Sequence, residues 1–194
     1  ETVRRPTDDV IVSSVVSLSG SGRVDDMAVC AFVSFRLGLT DGVSVVAGHW
    51  QRAVESMGFD TVTVAGEGPV DRTVAGLELA AANPPDLDEL RAALADADLI
   101  VVENLCTIPL NLPAARAVAE MCAGQPTVMH HHDPPWQRAH FAHITELPIE
   151  DPAWRHVTIN DLTRDQFHDR DIDAVRIYNG FPTDTRPGTS PELR

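Results

Sequence analysis

The sequence of 194 residues contains no lysine, a single tyrosine and only three cysteines. All 15 basic residues are therefore arginines, and they face 29 acidic residues, so the formal net charge is −14. Nucleic acids and anionic membrane surfaces attract clusters of basic side chains. The charge balance thus argues against nucleic acid as a partner and against binding to an anionic membrane.

Long apolar runs are also missing, since no stretch approaches the roughly 20 residues that span a bilayer. Residues 10–18 are mostly apolar, but two aspartates precede them and no clean cleavage site follows, which argues against a signal peptide. Cys30, Cys106 and Cys122 lack the spacing of metal ligands, and we expect them to be reduced and buried. Together these features predict a cytoplasmic protein without a transmembrane segment.

Short apolar runs alternate with segments of helical periodicity from residue 27 onward. The runs predict strands at residues 27–35, 61–65, 99–102, 127–129, 157–159 and 175–178. Apolar residues at helical spacing predict helices at residues 43–57, 86–94, 111–122 and from 161. Uniformly apolar strands that alternate with helices are typical of a parallel sheet covered on both faces. The sequence predicts a three-layer, Rossmann-like α/β domain with a mostly parallel sheet of about six or seven strands.

In such a fold, ligands bind beyond the carboxyl ends of the strands, so the residues that follow each strand are the candidate site. Gly38 and Gly42 follow the first strand and precede a helix. They either form the turn or let an anion approach the backbone amides at the start of the helix. The segment matches neither the dinucleotide fingerprint nor the phosphate-binding loop of nucleotidases, which disfavours a dinucleotide or ATP site.

A carboxylate and an amide, Glu103 and Asn104, follow the third strand, and Asn111 lies shortly after them. The carboxylate and the amide at the strand end, Glu103 and Asn104, have two interpretations. They bind hydroxyl groups of a ligand, or they serve the structure by capping the next helix.

Histidines are concentrated after the fourth strand, in the stretch at residues 130–136. Alternation along an extended chain puts His130 and His132 on one side of the sheet. A metal site that includes His140 and His143 is an alternative. However, adjacent histidines rarely coordinate one ion, and none of the usual zinc spacings is present. We therefore predict contact with an organic ligand and no metal.

The remaining strand ends carry residues that also have two interpretations. Trp136 is a platform for sugar stacking or a cover over the core. Asn160 and Asp161 bind a ligand or cap a helix, and Asn179 and Gly180 bind a ligand or form a turn. No Ser-His-Asp or Cys-His arrangement and no close pair of carboxylates accompanies them, so the pattern favours binding over self-contained catalysis.

Taken in order, these motifs resemble the N-terminal domain of the family 4 retaining glycosyltransferases, which have the GT-B fold. The resemblance covers most of the chain, from about residue 26 to residue 183. It is carried by the residues at 34–38, 41–44, 103–105, 109–113, 130–136 and 179–181.

The resemblance implies a nucleotide-sugar-dependent transferase with two facing Rossmann-like domains, no metal in the chemistry and no cofactor besides the nucleotide-sugar co-substrate. It implies that Gly38 and Gly42 approach the donor diphosphate, and that His132 lies near the transferred sugar and takes part in catalysis. We expect the other polar strand-end residues, together with Trp136, to bind the acceptor or substrate: Asp41, Glu103, Asn104, Asp133, Trp136, Asn160, Asn179 and Gly180.

The sequence departs from the family pattern at Leu39, which stands where a second glycine is common. The family's C-terminal domain holds most of the nucleotide-sugar and would begin near the end of this chain. We therefore expect an N-terminal extension at residues 1–25, a Rossmann-like domain at 26–183 and a linker at 184–194 toward an absent donor-binding domain. On this expectation the chain alone is inactive. The alternatives are a stand-alone binding domain without catalysis and a metal-dependent hydrolase built on the histidines.

Overall fold

Seven strands form one sheet in the computed structural model, which describes residues 27–180. Their order across the sheet is β3-β2-β1-β4-β5-β6-β7, and every neighbouring pair is parallel. This confirms the predicted α/β architecture. The predicted extension at 1–25 and linker at 184–194 lie outside the described residues. The strands are β1 (Ala28–Arg36), β2 (Phe59–Glu67), β3 (Arg72–Thr73), β4 (Leu99–Glu103), β5 (Thr127–His131), β6 (Trp154–Thr158) and β7 (Ala174–Arg176).

Four α-helices of the described part connect these strands: α1 (Gly42–Ser56), α2 (Leu87–Ala93), α3 (Leu112–Cys122) and α4 (Asp161–His168). Each begins after an aspartate or asparagine whose side chain accepts a hydrogen bond from a backbone N–H of the first turn. Such a cap contributes about 1 kcal/mol to helix stability. The capping interpretation is therefore confirmed for Asn160, whereas the helix after β4 is capped by Asn111 and not by Glu103 or Asn104.

The main difference from the predicted elements is β3, which lies between the second predicted strand and the second predicted helix, where the sequence predicts neither. Its two residues, Arg72 and Thr73, pair with Val64 and Ala65 at the edge of the sheet. A strand of two polar residues has no periodicity that a sequence could reveal. The Arg72 side chain instead forms an ion pair with Asp96 at 2.6 Å, which fastens this edge to the turn before β4.

Two apolar cores lie on opposite faces of the sheet. Helix α1 packs on one face, where Trp50 and Val54 meet the side chains of Phe32 and Val101. Helices α2 and α3 cover the other face, whose core includes Ala31, Val33, Ile100, Leu90 and Val118. Neighbouring residues of β1 thus alternate between two buried layers, which explains its continuous apolar sequence.

The three cysteines are buried and form no disulfide, as the sequence predicts. Burial raises the pKa of both the Cys30 and the Cys122 thiol to about 12, so neither is a thiolate at neutral pH. Among residues 27–180, no helix has the length and apolar character needed to cross a membrane.

Candidate functional site

Three adjacent central strands, β1, β4 and β5, have their carboxyl ends side by side at one end of the sheet. The Ser34 hydroxyl at the end of β1 donates a hydrogen bond of 2.9 Å to the backbone oxygen of Glu103 at the end of β4. The backbone N–H of Asn104 donates one of 2.9 Å to the backbone oxygen of His130 on β5. These bonds bring residues from three distant parts of the chain into one site.

A cleft of about 150 Å³ opens at this end of the sheet. Three of the residues predicted to bind substrate line it: Asp41, Asn104 and Asp133. Ser34 and Arg36 line it as well, although the sequence did not mark them as site residues. The signals for Ser34 are a hydroxyl near the end of a mostly apolar strand and its place in the segment 34–38, which carries part of the family resemblance.

The start of α1 forms one wall of the cleft. Asp41 caps the helix and accepts hydrogen bonds from the Ser44 amide at 3.2 Å and from the Ser44 hydroxyl at 2.8 Å. Its carboxylate also lies 3.5 Å from the Arg36 guanidinium. Burial acts to raise the pKa of Asp41, but the Ser44 hydrogen bonds and the Arg36 charge outweigh it and lower this pKa below its usual value. Asp41 is therefore a carboxylate at neutral pH.

The two glycines of the predicted phosphate loop have different surroundings. Gly38 has a positive φ of 73°, and a Cβ atom there would lie 2.8 Å from Cγ of Pro69. Gly42 is the first residue of α1, and a Cβ atom there would meet nothing within 4 Å. The structure thus gives Gly38 a local packing role and leaves the approach to Gly42 open.

A buried carboxylate joins two of the histidines below the cleft. Oε2 of Glu103 lies 2.9 Å from Nδ1 of His130 and 3.3 Å from Nε2 of His132. The side chains of Glu103 and His130 are fully buried, and that of His132 is 8% exposed. Burial acts to raise the pKa of Glu103, but the charges and hydrogen bonds of the two imidazoles outweigh it and lower this pKa to about 2.

Asn104 positions the chain that follows β5. Its side-chain oxygen accepts hydrogen bonds of 3.1 Å from the backbone N–H groups of both His132 and Asp133. Its side-chain nitrogen donates a further bond of 3.1 Å to the Asp133 carboxylate, which also pairs with Arg138. Asn104 has a φ of 58°, in the left-handed region, so the backbone itself is shaped to direct this amide.

The third histidine, His131, lies on the opposite face of the sheet, as strand alternation predicts. Its Nδ1 is 2.6 Å from the Thr107 hydroxyl and its Nε2 is 2.9 Å from Nδ1 of His156. Its ring also packs against Phe167 with 4.6 Å between ring centroids. Burial, together with the charges of His156 and the neighbouring histidines, holds the pKa of His131 well below its usual value. This imidazole is neutral and structural.

Trp136 packs against Phe167, as His131 does, and is not among the residues that line the cleft. Its ring contacts Phe167 at 5.3 Å between centroids, and its indole N–H donates to Gln166 at 2.8 Å. The guanidinium of Arg170 lies 3.9 Å from the centre of the same ring. Trp136 thus covers the side of α4, which corresponds to the structural interpretation of this residue.

The predicted site residues that follow β6 and β7 lie in separate parts of the structure. Asn160 caps α4 through a bond of 2.8 Å from the Thr163 amide. The backbone oxygen of Gly180 accepts a hydrogen bond of 2.7 Å from Nδ1 of His49 on α1, so the segment after β7 lies against this helix. The side-chain oxygen of Asn179 is buried without a hydrogen-bond partner.

The comparisons with known proteins give one distant match. A mannosylglucosylglycerate synthase from Thermotoga maritima is 26% identical over 205 aligned positions, which cover 84% of this chain and 47% of the synthase. The chain thus spans about half the length of this relative. No family model matches the chain. No solved structure matches it either.

Proposed function

We propose that this chain is the acceptor-side domain of a nucleotide-sugar-dependent retaining glycosyltransferase with the GT-B architecture. The distant similarity to a synthase of a glycosylated glycerate supports a glycosyltransferase-like domain. The observation that carries the proposal is the cleft beyond the carboxyl ends of the central strands, where Asp41, Asn104 and Asp133 line one cavity. His132 lies directly beside it, because its backbone N–H is bound by the same amide of Asn104.

The cleft offers the groups that recognise a sugar. Ionised carboxylates such as Asp41 accept hydrogen bonds from hydroxyl groups, and the side-chain nitrogen of Asn104 has a second N–H to donate beside the one bound to Asp133. Two of these side chains, Asn104 and Asp133, are already fixed by bonds to each other and to the backbone. A polyhydroxylated ligand would therefore bind to groups that lose little conformational freedom.

The start of α1 suits an anionic group of the donor. Backbone N–H groups and the helix dipole favour an anion at this end of a helix. Gly42 has no side chain to block the approach. We assign the donor diphosphate to Gly42, whereas Gly38 supports the turn behind it.

In GT-B enzymes the nucleotide-sugar is held mostly by a second Rossmann-like domain. We propose that this chain acts together with such a domain, and that Asn179 and Gly180 lie at the crossover, where the Gly180 oxygen binds His49 of α1. On this proposal the 194-residue chain alone transfers no sugar from any donor. Robust turnover by the chain alone would contradict this division of roles.

The direct test is a transfer assay on the protein expressed from its whole gene, with a panel of nucleotide-sugars and small hydroxylated acceptors that includes glycerate conjugates. Because the side chain of His132 is only 8% exposed, His132→Gln is a better probe than alanine, which would leave a cavity. We expect a loss of about 10²- to 10³-fold in kcat, the usual effect of removing a positioned hydrogen-bonding group.

His140→Gln is the matched control, because His140 is exposed and lies outside the cleft. We expect it to leave the rate unchanged. The proposal fails if no donor supports transfer by the whole protein. The role of His132 fails if His132→Gln keeps a near-normal rate with an unchanged melting temperature.

A further inference from the structure

The carboxylate of Glu103 lies between two imidazoles that belong to alternate residues of one strand end. The same oxygen, Oε2, is within hydrogen-bond distance of Nδ1 of His130 and of Nε2 of His132. Strand register produces this arrangement, because Glu103 on β4 is directly opposite His130 on β5. His132 follows two residues later and points to the same side.

The chemistry of the carboxylate fixes which partner donates. Glu103 is ionised, since its pKa is lowered to about 2, and an ionised carboxylate can only accept hydrogen bonds. Each imidazole must therefore present an N–H to it. In the neutral form of each ring, His130 then carries its proton on Nδ1 and His132 carries its proton on Nε2, so the two neutral rings are held in opposite tautomers.

The surroundings of His130 agree with this assignment. Its Nε2 atom is buried and has no hydrogen-bond partner. An N–H group buried in this way would be an unsatisfied donor, which is rarer in proteins than an acceptor with unused capacity. The ring of Trp50 lies 4.4 Å from the His130 ring and excludes water from that side.

We propose that Glu103 is a positioning residue that holds the proton of His130 on Nδ1 and the proton of His132 on Nε2. A neutral His132 then offers Nδ1 as a hydrogen-bond acceptor, which selects a ligand hydroxyl group that donates its proton. The assignment of tautomers rests on the contacts and the charge of the Glu103 carboxylate, whereas the hydroxyl ligand rests on the proposed function.

A metal ion is the competing occupant, because ligand atoms of Glu103, His130 and His132 all lie within 4.8 Å of one another. A histidine bound to a metal almost always donates its other N–H to a carboxylate, carbonyl or water. If Nδ1 of His130 held the ion together with Glu103, its other nitrogen, Nε2, would lack such a partner. In addition, both short distances are those of ordinary hydrogen bonds. The geometry therefore favours shared protons over a shared cation.

The tautomers can be measured directly in the 194-residue chain. Long-range ¹H–¹⁵N correlation spectra of protein labelled in its histidines, recorded in steps from pH 7 to pH 9 so that the neutral form of each ring is reached, distinguish a protonated ring nitrogen from an unprotonated one. His130→Gln and His132→Gln identify the two sets of signals, and the exposed His140 and His143 serve as references for averaged tautomers.

We expect the protonated nitrogen to be Nδ1 in His130 and Nε2 in His132. The result for His130 is the sharper one, because a free imidazole in water favours the opposite tautomer. In Glu103→Gln the side chain keeps its shape but loses its charge, and we expect the His130 shifts to move toward those of the references. A His130 that carries its proton on Nε2 in the unmodified protein would overturn the proposal, even if the variant does not fold.

Two additions separate the remaining outcomes. Stoichiometric binding of Zn²⁺ that moves the signals of both His130 and His132 would make the cluster a metal site and overturn the proposal. A hydroxylated acceptor that shifts only Nδ1 of His132 would support the ligand role. If the tautomers are as expected but no nucleotide-sugar or acceptor affects His132 in the protein expressed from its whole gene, the proposed function fails while the role of Glu103 stands.

Discussion

The pair formed by His131 and His156 predicts that the protein loses stability in mild acid. Burial and the neighbouring imidazole charges hold the pKa of His131 well below its usual value. Burial also lowers the pKa of His156 from 6.5 to about 4, although Asp173 acts in the other direction. Both side chains are neutral in the folded protein at pH 6, whereas the unfolded chain already binds protons at that pH.

The sign of the effect follows from this difference. Below pH 6.5 the unfolded state binds more protons than the folded state, so the free energy of unfolding falls as the pH falls toward about 4. For His156 alone, a pKa of 6.5 when unfolded and about 4 when folded removes about 2 kcal/mol between pH 7 and pH 5. His131 adds to this loss, and total stabilities of domains are only about 5–15 kcal/mol.

The assay is urea unfolding followed by circular dichroism at pH 7 and pH 5, for the unmodified protein and for His156→Gln. Glutamine keeps hydrogen-bonding groups beside His131 but does not titrate. The variant should therefore lose about 2 kcal/mol less than the unmodified protein over this pH range. His140→Gln, which removes an exposed imidazole, should not change the loss. Equal losses in His156→Gln and the unmodified protein would refute the argument.

Two further predictions concern packing. Gly38→Ala should lower the free energy of unfolding by about 1–3 kcal/mol, because it places a side chain at positive φ and against Pro69. In the same urea titration, Gly42→Ala should change the free energy of unfolding by less than about 0.5 kcal/mol, since a Cβ atom there meets nothing within 4 Å. The Cys106 thiol should react with a disulfide reagent only as fast as the protein unfolds, since burial raises its pKa well above 9.0; rapid reaction in native buffer would contradict its burial.

The architecture could be predicted because its signal is repeated along the chain. The central strands β1 and β4 are buried on both faces, so their sequences are apolar up to the polar residues near their carboxyl ends, and the helices that follow have their own caps and periodicity. The edge strand β3 has neither signal, since it has two residues and only one neighbour. β5 also extends beyond its predicted end at residue 129, where His130 contacts Glu103 of β4 and His131 contacts His156 of β6.

The site could be predicted only in outline, as polar residues that follow strands. Which of these residues meet depends on the order of strands across the sheet. Glu103 lies 27 positions from His130 in the sequence, and only the pairing of β4 with β5 places their side chains in contact. Trp136 shows the converse, because it follows the same strand as His132 but turns toward α4 and Phe167.

Asn104 shapes the site in two ways, through its own backbone conformation and through the hydrogen bonds of its side chain. A residue other than glycine in the left-handed region costs about 1–2 kcal/mol. The amide offsets this cost with three hydrogen bonds to His132 and Asp133, each of which contributes about 1 kcal/mol. Glycine would accept the φ of 58° but could make none of these bonds, and alanine would have the strain without them. The positions of His132 and Asp133 after β5 therefore depend on a residue of the neighbouring strand end.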